Sequence, residues 1–320
     1  MHFKVLAVIV LLFMVMTPWF AFADGYTSDA RLDTVRDTVY TVGQKASGSF
    51  GLLPTSQSFF FNLPANSQIA VYAIGATISS LSIYKPDGSF LTNIPTVSGG
   101  VYKYGVFTTS VAGDYELLVG GSSGDYKVSC INGYQVLGNA NTSYNRTQAA
   151  NYAFQYYANA NPLYHEFTAD CTNFVSQAVH CGGMNMLSSG GTDNYWHYTT
   201  ASNYSPSWTS ADFFMRHWSK VRQKQYTYYG RAYSVRIYTK EYILMNKASL
   251  YNFISVGDTV HYLNGTDSKA THSQIFQRKD AYDRIMTCSH SDGFYYGNWF
   301  DYVSDEDSFS WIVVIKISNN

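Results

Sequence analysis

The 320-residue chain has little charge. Lysine and arginine together number 21 and aspartate and glutamate 22, so charged residues make up 13% and the formal net charge is -1. No basic stripe is present to neutralise a phosphate backbone, which excludes nucleic acid as a partner. Cysteine is also scarce, with four in all. No C-x-x-C, no H-E-x-x-H and no Cys/His cluster at metal spacing occurs, so no metal site is expected. With so few charges, the surface falls to Ser, Thr, Asn, Gly and the 29 tyrosines. A tyrosine offers a flat apolar face and a hydroxyl, which suits sugar or peptide contacts and equally suits plain β-rich packing.

Long apolar runs are absent except at the start, "KVLAVIVLLFMVMTPWFAFA". Lys4 is its only full charge, and Ala21-Phe22-Ala23 forms an A-x-A site before Asp24. This is a signal-peptide pattern over residues 1–23, with an uncleaved anchor as the alternative. Secretion or delivery to the cell surface is therefore expected. In an exported protein Cys130, Cys171, Cys181 and Cys288 allow two disulfides. A working thiol at Cys171 leaves at most one, and Cys181 with Cys288 is one option.

Two textures follow. From residue 24 to 138 the chain is strand-like. "IAVYAIGATISSLSIYKPDGSFL" alternates apolar and polar residues and then turns at Pro86-Asp87-Gly88. "FTTSVAGDYELLVGGSSGDYKVSC" repeats the pattern, with Gly113-Asp114 and Gly124-Asp125 read as turns. Short strands at this spacing predict a β-sandwich. Its segments "SFFFNLPANSQIAVYA" and "AGDYELLV" resemble the small sandwich modules that accompany secreted bacterial hydrolases. No catalytic grouping lies in this part. "LGNANTSYN", residues 137–145, is the polar connector to a second domain over 139–320. There Asn145 and Gln148 predict a helix cap, followed by an apolar stripe of Ala149, Ala150, Ala153, Phe154 and Tyr157.

"TADCTNFVSQAVHCGG" carries the candidate chemistry. Asp170 is a suitable N-cap, which puts Cys171 in the first helical turn. Cys171, Phe174, Val175 and Ala178 share one buried face, and Gly182-Gly183 ends the helix. A thiol there meets the positive end of the helix dipole and spare backbone N–H groups, which favour a thiolate and can hold an oxyanion. By spacing alone Cys171 fits a small core residue just as well.

The stretch "YNRTQAANYAFQYYANANPLYHEFTADCTNFVSQAVHCGG" resembles the start of the amidase domain of secreted bacterial proteins, a papain-like relative of the NlpC/P60 group. The likeness continues through "YWHYTTASNYSPSWTSADFFMRHW", "ISVGDTVHYLNG", "THSQIF" and "TCSHSDGFYYGN". It departs at Gln274, usually small or apolar, and in lacking a basic residue after the acid of "SHSDGFYYG". The resemblance implies an α+β, papain-like catalytic domain behind an all-β sandwich. It also implies a cysteine amidase or peptidase without cofactor, acting on a peptidoglycan peptide or another extracellular amide. The sandwich would then hold a cell-wall polymer or a neighbouring protein.

A nucleophile of this kind needs a base and the base needs an orienting group. "GDTVHYL" and "THSQIF" read as neighbouring strands, and His272 falls 101 residues after Cys171 (272 minus 171). His272 is the expected base, with His261 as rival. Met286, Cys288 and His290 share a face of the next strand, which makes His290 the expected orienter, with Asp292 and Asp283 as alternatives. Trp196, Trp208 and Asp170 are candidate substrate contacts, with buried core packing an equal reading for the two tryptophans, and Asn173 and Gln177 are candidate wall residues. His165, His180, His197 and His217 read as packing or surface residues. Other readings of the same residues are a thioester acyltransferase, a lapsed surface-binding or adhesin protein, and a structural secreted protein.

Overall fold

Alternation in "QIAVYAI" places odd and even residues on opposite faces, and both faces are apolar. In the computed structural model this segment lies between two hydrophobic cores. The structure describes residues 38–41, 44–95, 102–132, 135–188, 195–219, 230–264, 269–290, 294–306 and 309–320. The expected leader over residues 1–23 lies outside them. Among the described residues no helix is long and apolar enough to cross a membrane.

The first sheet contains β1 (Val39–Thr41), β2 (Lys45–Phe50), β3 (Thr55–Leu63), β4 (Ser67–Tyr84), β5 (Phe90–Asn93), β6 (Tyr102–Thr109) and β7 (Gly113–Asn132). β4 and β7 are long antiparallel partners that exchange neighbours halfway along. The first half of β7 pairs with β3 and the second half with β2, while β4 pairs first with β6 and then with β5. The two halves enclose one core that includes Phe61, Ile69, Val71, Leu81, Ile83, Leu117, Val119 and Val128.

Pro86-Asp87-Gly88 makes the expected hairpin turn, closed by Gly88 N–H to the Lys85 carbonyl at 2.9 Å. Gly124-Asp125 does not reverse the chain. Gly124 (φ 100°) lies inside β7 near Gly75 (φ 101°), where β4 carries a bulge opposite Tyr126. Positive φ at both glycines bends the paired strands without ending them.

The even face of β4 turns towards the second half of the chain, where Ala70 and Tyr72 join its core. Tyr72 meets Trp311 edge-on at 5.0 Å. After β8 (Gln135–Val136), the connector is held by its amides. Asn139 donates to the Gly230 carbonyl and Asn141 to the carbonyls of Arg231 and Ile317.

The second half comprises α1 (Arg146–Tyr156), α2 (Cys171–Cys181), β9 (Tyr198–Thr200), β10 (Asn203–Tyr204), α3 (Pro206–Thr209), α4 (Ala211–Ser219), β11 (Ser234–Tyr238), α5 (Lys240–Met245) and α6 (Lys247–Phe253). It continues with β12 (Thr259–Asn264), β13 (Ala270–Lys279), β14 (Ile285–His290), β15 (Phe294–Asn298), α7 (Trp299–Asp305) and β16 (Phe309–Lys316). Its large sheet has the order β15-β14-β13-β12-β16-β11-β8, with every pairing antiparallel. β16 reads "WIVVI" because both its faces are covered. Trp311, Val313 and Ile315 join the core that holds Phe174, Val175 and Trp208, whereas Ile312 and Val314 join the core of Ile243, Trp299 and Phe300. The architecture is mixed α+β, rich in strands at its N-terminal side.

α1 starts as expected, with the Asn145 side chain accepting from Gln148 N–H at 2.9 Å. Its buried face is Ala149, Ala150, Tyr152 and Ala153, while Phe154 is exposed against the expected stripe. Phe154 instead meets Tyr157 and Tyr296 at the surface.

A Cβ at Gly75 would stand 2.4 Å from the Asp125 carbonyl oxygen, whereas one at Gly88 meets nothing within 4 Å. Gly75→Ala is expected to destabilise the protein by about 2–3 kcal/mol, and Gly88→Ala by about 1 kcal/mol, in urea unfolding. Equal losses would assign the whole cost to backbone torsion.

Candidate active site

α2 is buried along almost its whole length, from Cys171 to Val179. Apolar burial of Phe174, Val175, Ala178 and Val179 holds it on the sheet, but such burial has no direction of its own. Direction comes from hydroxyls. Thr172 Oγ1 lies 3.0 Å from Ser273 Oγ, and both side chains are fully buried. Those two residues are 101 apart, the same separation as Cys171 and His272. The bond therefore sets the start of α2 beside the start of β13, and Cys171 and His272 line one cavity of about 650 Å³.

The cavity is walled on one side by Thr168 and Ala169 before α2, and on the other by Tyr302 of α7 and Tyr295 of β15. The His272 ring is stacked on Tyr262 at 5.7 Å and lies 5.9 Å from Tyr302. Burial, then Glu306, Tyr295 and Cys171, raise the Tyr302 phenol above its ordinary range. Tyr295 is pushed up to about 12 by burial, then by Asp301 and Asp305. Thr271, Ser289, Asp301, Asp305 and Glu306 complete the lining, and among the described residues no lysine or arginine belongs to it.

Asp170 occupies the N-cap position, but its side chain makes no cap bond to the helix. One carboxylate oxygen accepts from Phe167 N–H at 2.9 Å and from the Asn173 amide at 2.8 Å, while the other meets His290 Nδ1 at 2.8 Å. The first-turn N–H groups of α2 are thus left without a side-chain cap. Asp170 was expected to contact substrate. Its oxygens are used within the protein, because they tie the loop before α2 to β14.

His290 was expected to orient His272. Its ring nitrogens instead meet the Asp170 carboxylate and, at 2.7 Å, the Tyr156 carbonyl, and its ring stacks on Phe174 at 4.1 Å. Both of these partners are hydrogen-bond acceptors. The residue joins the end of α1 to the start of α2.

Of the two readings of Trp196 and Trp208, cleft or core, their burial agrees with core, since both are fully buried behind α2. Their indole N–H groups bond Ser176 at 3.1 Å and Asn173 at 2.8 Å, and the rings lie 4.9 Å apart, so they brace the helix. Asn173 also bonds the His165 carbonyl, and Gln177 accepts from the Tyr152 hydroxyl. His180 and His197 are partly buried packing residues bonded to the Met184 carbonyl and Asn203. The alternative orienter Asp283 is an exposed turn residue with φ 55°, and Asp292 lies outside the described residues.

His261 is fully buried, with Nδ1 2.9 Å from Ser273 Oγ and Nε2 3.1 Å from Thr259 Oγ1. Burial, and then the nearby His272, push its pKa down to about 3. A neutral imidazole outside the cavity lining is poorly suited to be the base. All four cysteines are free thiols, so Cys181 and Cys288 are not joined. Burial pushes Cys288 up to about 12 and also raises Cys130 and Cys181. Among the described residues no group of three His, Cys, Asp or Glu side chains is placed to hold a metal. Sequence reading missed Thr172, Ser273 and α7. The signal for the first pair was the repeated offset of 101.

A cysteine at the start of a buried helix and a histidine on an antiparallel sheet, sharing one cavity, make a candidate Cys/His site in an α+β protein. The family model described as "Putative amidase domain" matches residues 143–314, and the chain belongs to that family. The uncharacterised protein YhbB of Bacillus subtilis (strain 168) is 27% identical over 173 residues, 54% of this chain and 48% of YhbB. The chain thus spans about half the length of that relative. Among solved structures, the pre-peptidase C-terminal domain of a Bacillus anthracis collagenase aligns at TM-score 0.25 and 14% identity, over 31% of this chain and 99% of that one. PliG of Aeromonas hydrophila, a periplasmic inhibitor of g-type lysozyme, aligns at TM-score 0.18 and 13% identity, over 29% and 96%. Scores this low carry no argument about fold.

Two outcomes follow from the electrostatics. His261 in the unfolded chain takes a proton near pH 6.5, but in the folded protein only near 3. Unfolding therefore binds a proton between these values, and stability falls as the pH drops through that window. Between pH 7 and 5 the wild type should lose about 2 kcal/mol more than His261→Gln in urea unfolding. Identical pH slopes would contradict a neutral buried His261. The acidic wall should make a cationic methanethiosulfonate modify Cys171 roughly tenfold faster than an anionic one, relative to a small thiol. Added salt should narrow that ratio, and a ratio of one at low salt would show that the carboxylates do not set the potential.

Proposed function

We propose that the protein is an exported cysteine amidase or peptidase with a papain-like, NlpC/P60-related catalytic domain over residues 139–320. The observation that carries this reading is the meeting of Cys171 and His272 on one cavity, fixed by the Thr172–Ser273 bond. Membership of the amidase family supports it. In the reaction the Cys171 proton passes to His272, and the sulfur attacks the amide carbonyl carbon. The oxyanion is held by uncapped N–H groups of the first turn of α2. As the C–N bond breaks, imidazolium His272 protonates the leaving amine. A water then gives its proton to His272 and attacks the thioester, which releases the carboxylate and returns the thiol.

His290 acts through Asp170, holding the loop and helix that carry the nucleophile. The substrate class is an amide of the cell wall, such as a peptidoglycan stem peptide. Residues 1–23 are read as a cleaved signal peptide. The sandwich over 24–138 then serves as an accessory domain that holds a wall polymer or neighbouring protein.

The test is amine release from purified cell-wall peptides, with iodoacetamide labelling of Cys171 at pH 6 read by mass spectrometry. Cys171→Ala should abolish amine release, and His272→Ala should slow it by about 10²–10⁴-fold. Labelling of Cys171 at pH 6 should be rapid in the wild type and slow in His272→Ala. Amine release that survives Cys171→Ala would overturn the reading.

A further inference from the structure

The hydroxyl bond that aligns α2 with β13 belongs to a longer chain of contacts. Cys171 Sγ lies 3.6 Å from Thr172 Oγ1, which lies 3.0 Å from Ser273 Oγ. Ser273 Oγ lies 2.9 Å from His261 Nδ1, and His261 Nε2 lies 3.1 Å from Thr259 Oγ1. Thr172, Ser273, His261 and Thr259 are all fully buried, so water does not compete for these bonds.

Each hydroxyl has one proton to give, and this fixes how the chain is ordered. If Thr172 gives its proton to the sulfur, it must accept from Ser273. Ser273 must then accept from His261, which requires a proton on Nδ1. Nε2 is left bare and accepts from Thr259. The opposite order places the proton on Nε2, leaves Nδ1 bare and has each hydroxyl donate away from the sulfur. A thiolate accepts hydrogen bonds and donates none, so only the first order serves it.

We propose that Thr172, Ser273 and His261 form a buried relay of donors aimed at Cys171 Sγ, with His261 held as the neutral Nδ1–H tautomer. The proposal rests on the reading of Cys171 as the nucleophile. It makes His261 and Ser273 positioning residues that stabilise the anionic sulfur through Thr172, while His272 remains the group that exchanges protons with it. No covalent step passes along the relay. Burial keeps His261 neutral, and His272 is the titratable group acting on it.

The first test is nitrogen NMR of the folded protein labelled with ¹⁵N-histidine, in which bare and protonated ring nitrogens have well-separated shifts. His261 should show a protonated Nδ1 and a bare Nε2 throughout pH 5 to 8. The Nε2–H tautomer would overturn the relay. The second test uses iodoacetamide labelling of Cys171 at pH 6. Thr172→Val keeps the shape but removes the last donor and should slow labelling about tenfold, whereas Thr172→Ser should stay within about twofold of wild type. Equal rates in the Val and Ser variants would overturn the relay. If the Val variant does not fold, the tautomer in the wild type decides alone. A wild-type Cys171 inert at pH 6 would sink the nucleophile reading and the relay with it. Fast labelling beside an Nε2–H tautomer would sink only the relay.

Discussion

The site depends on one directed contact, the buried bond between Thr172 on α2 and Ser273 on β13. Helix and sheet are held together by apolar burial, which tolerates sliding and rotation because it is proportional to area and not to orientation. A hydroxyl pair does not tolerate either, since an unmade bond in a buried place costs about 1–3 kcal/mol per group. With Thr172 and Ser273 joined, their preceding neighbours Cys171 and His272 are carried to the rim of the same cavity. A rigid scaffold that holds two such side chains on one cavity spares the entropy of bringing them together.

A second set of polar contacts controls what the start of α2 can offer. Asp170 would ordinarily close the helix terminus with its own carboxylate. Here His290, Asn173 and the Phe167 amide take that carboxylate, and Asn173 is in turn fixed by Trp208. The terminus is therefore held by its surroundings and not by a cap. Its first turn is left without a side-chain cap, and Cys171 in that turn lines the cavity. The first sheet contributes at a distance, since Tyr72 of β4 packs on Trp311 of β16 in the same core as Phe174.

Much of this was legible in the sequence where local pattern and tertiary need agree. The α2 helix, the β12–β13 pair, the Asn145 cap and the turn at Gly88 all follow from spacing and turn chemistry. Errors arose where one residue type serves two ends. Gly124-Asp125 has a turn composition, yet a paired strand uses the same positive φ to bend. Phe154 is apolar but faces out, because Tyr152 supplies both ring and hydroxyl to the interior. Trp196 and Trp208 are large aromatics close in sequence to the site, and sequence does not reveal which side of α2 they occupy. His290 lay on the expected strand, but its partners come from residues 120 and 134 positions away. No local pattern announces such pairings. The walls from α7 were missed for the same reason.

The central claim is that Cys171 forms a thioester that His272 helps to form and resolve. Intact-protein mass spectrometry after rapid mixing with 4-nitrophenyl acetate reads that step directly. A single acetyl group should appear within a burst, map to Cys171 and decay with turnover, and both its gain and its loss should be slowed in His272→Ala. No acetyl on Cys171, or the same gain and loss in the variant, would contradict the account.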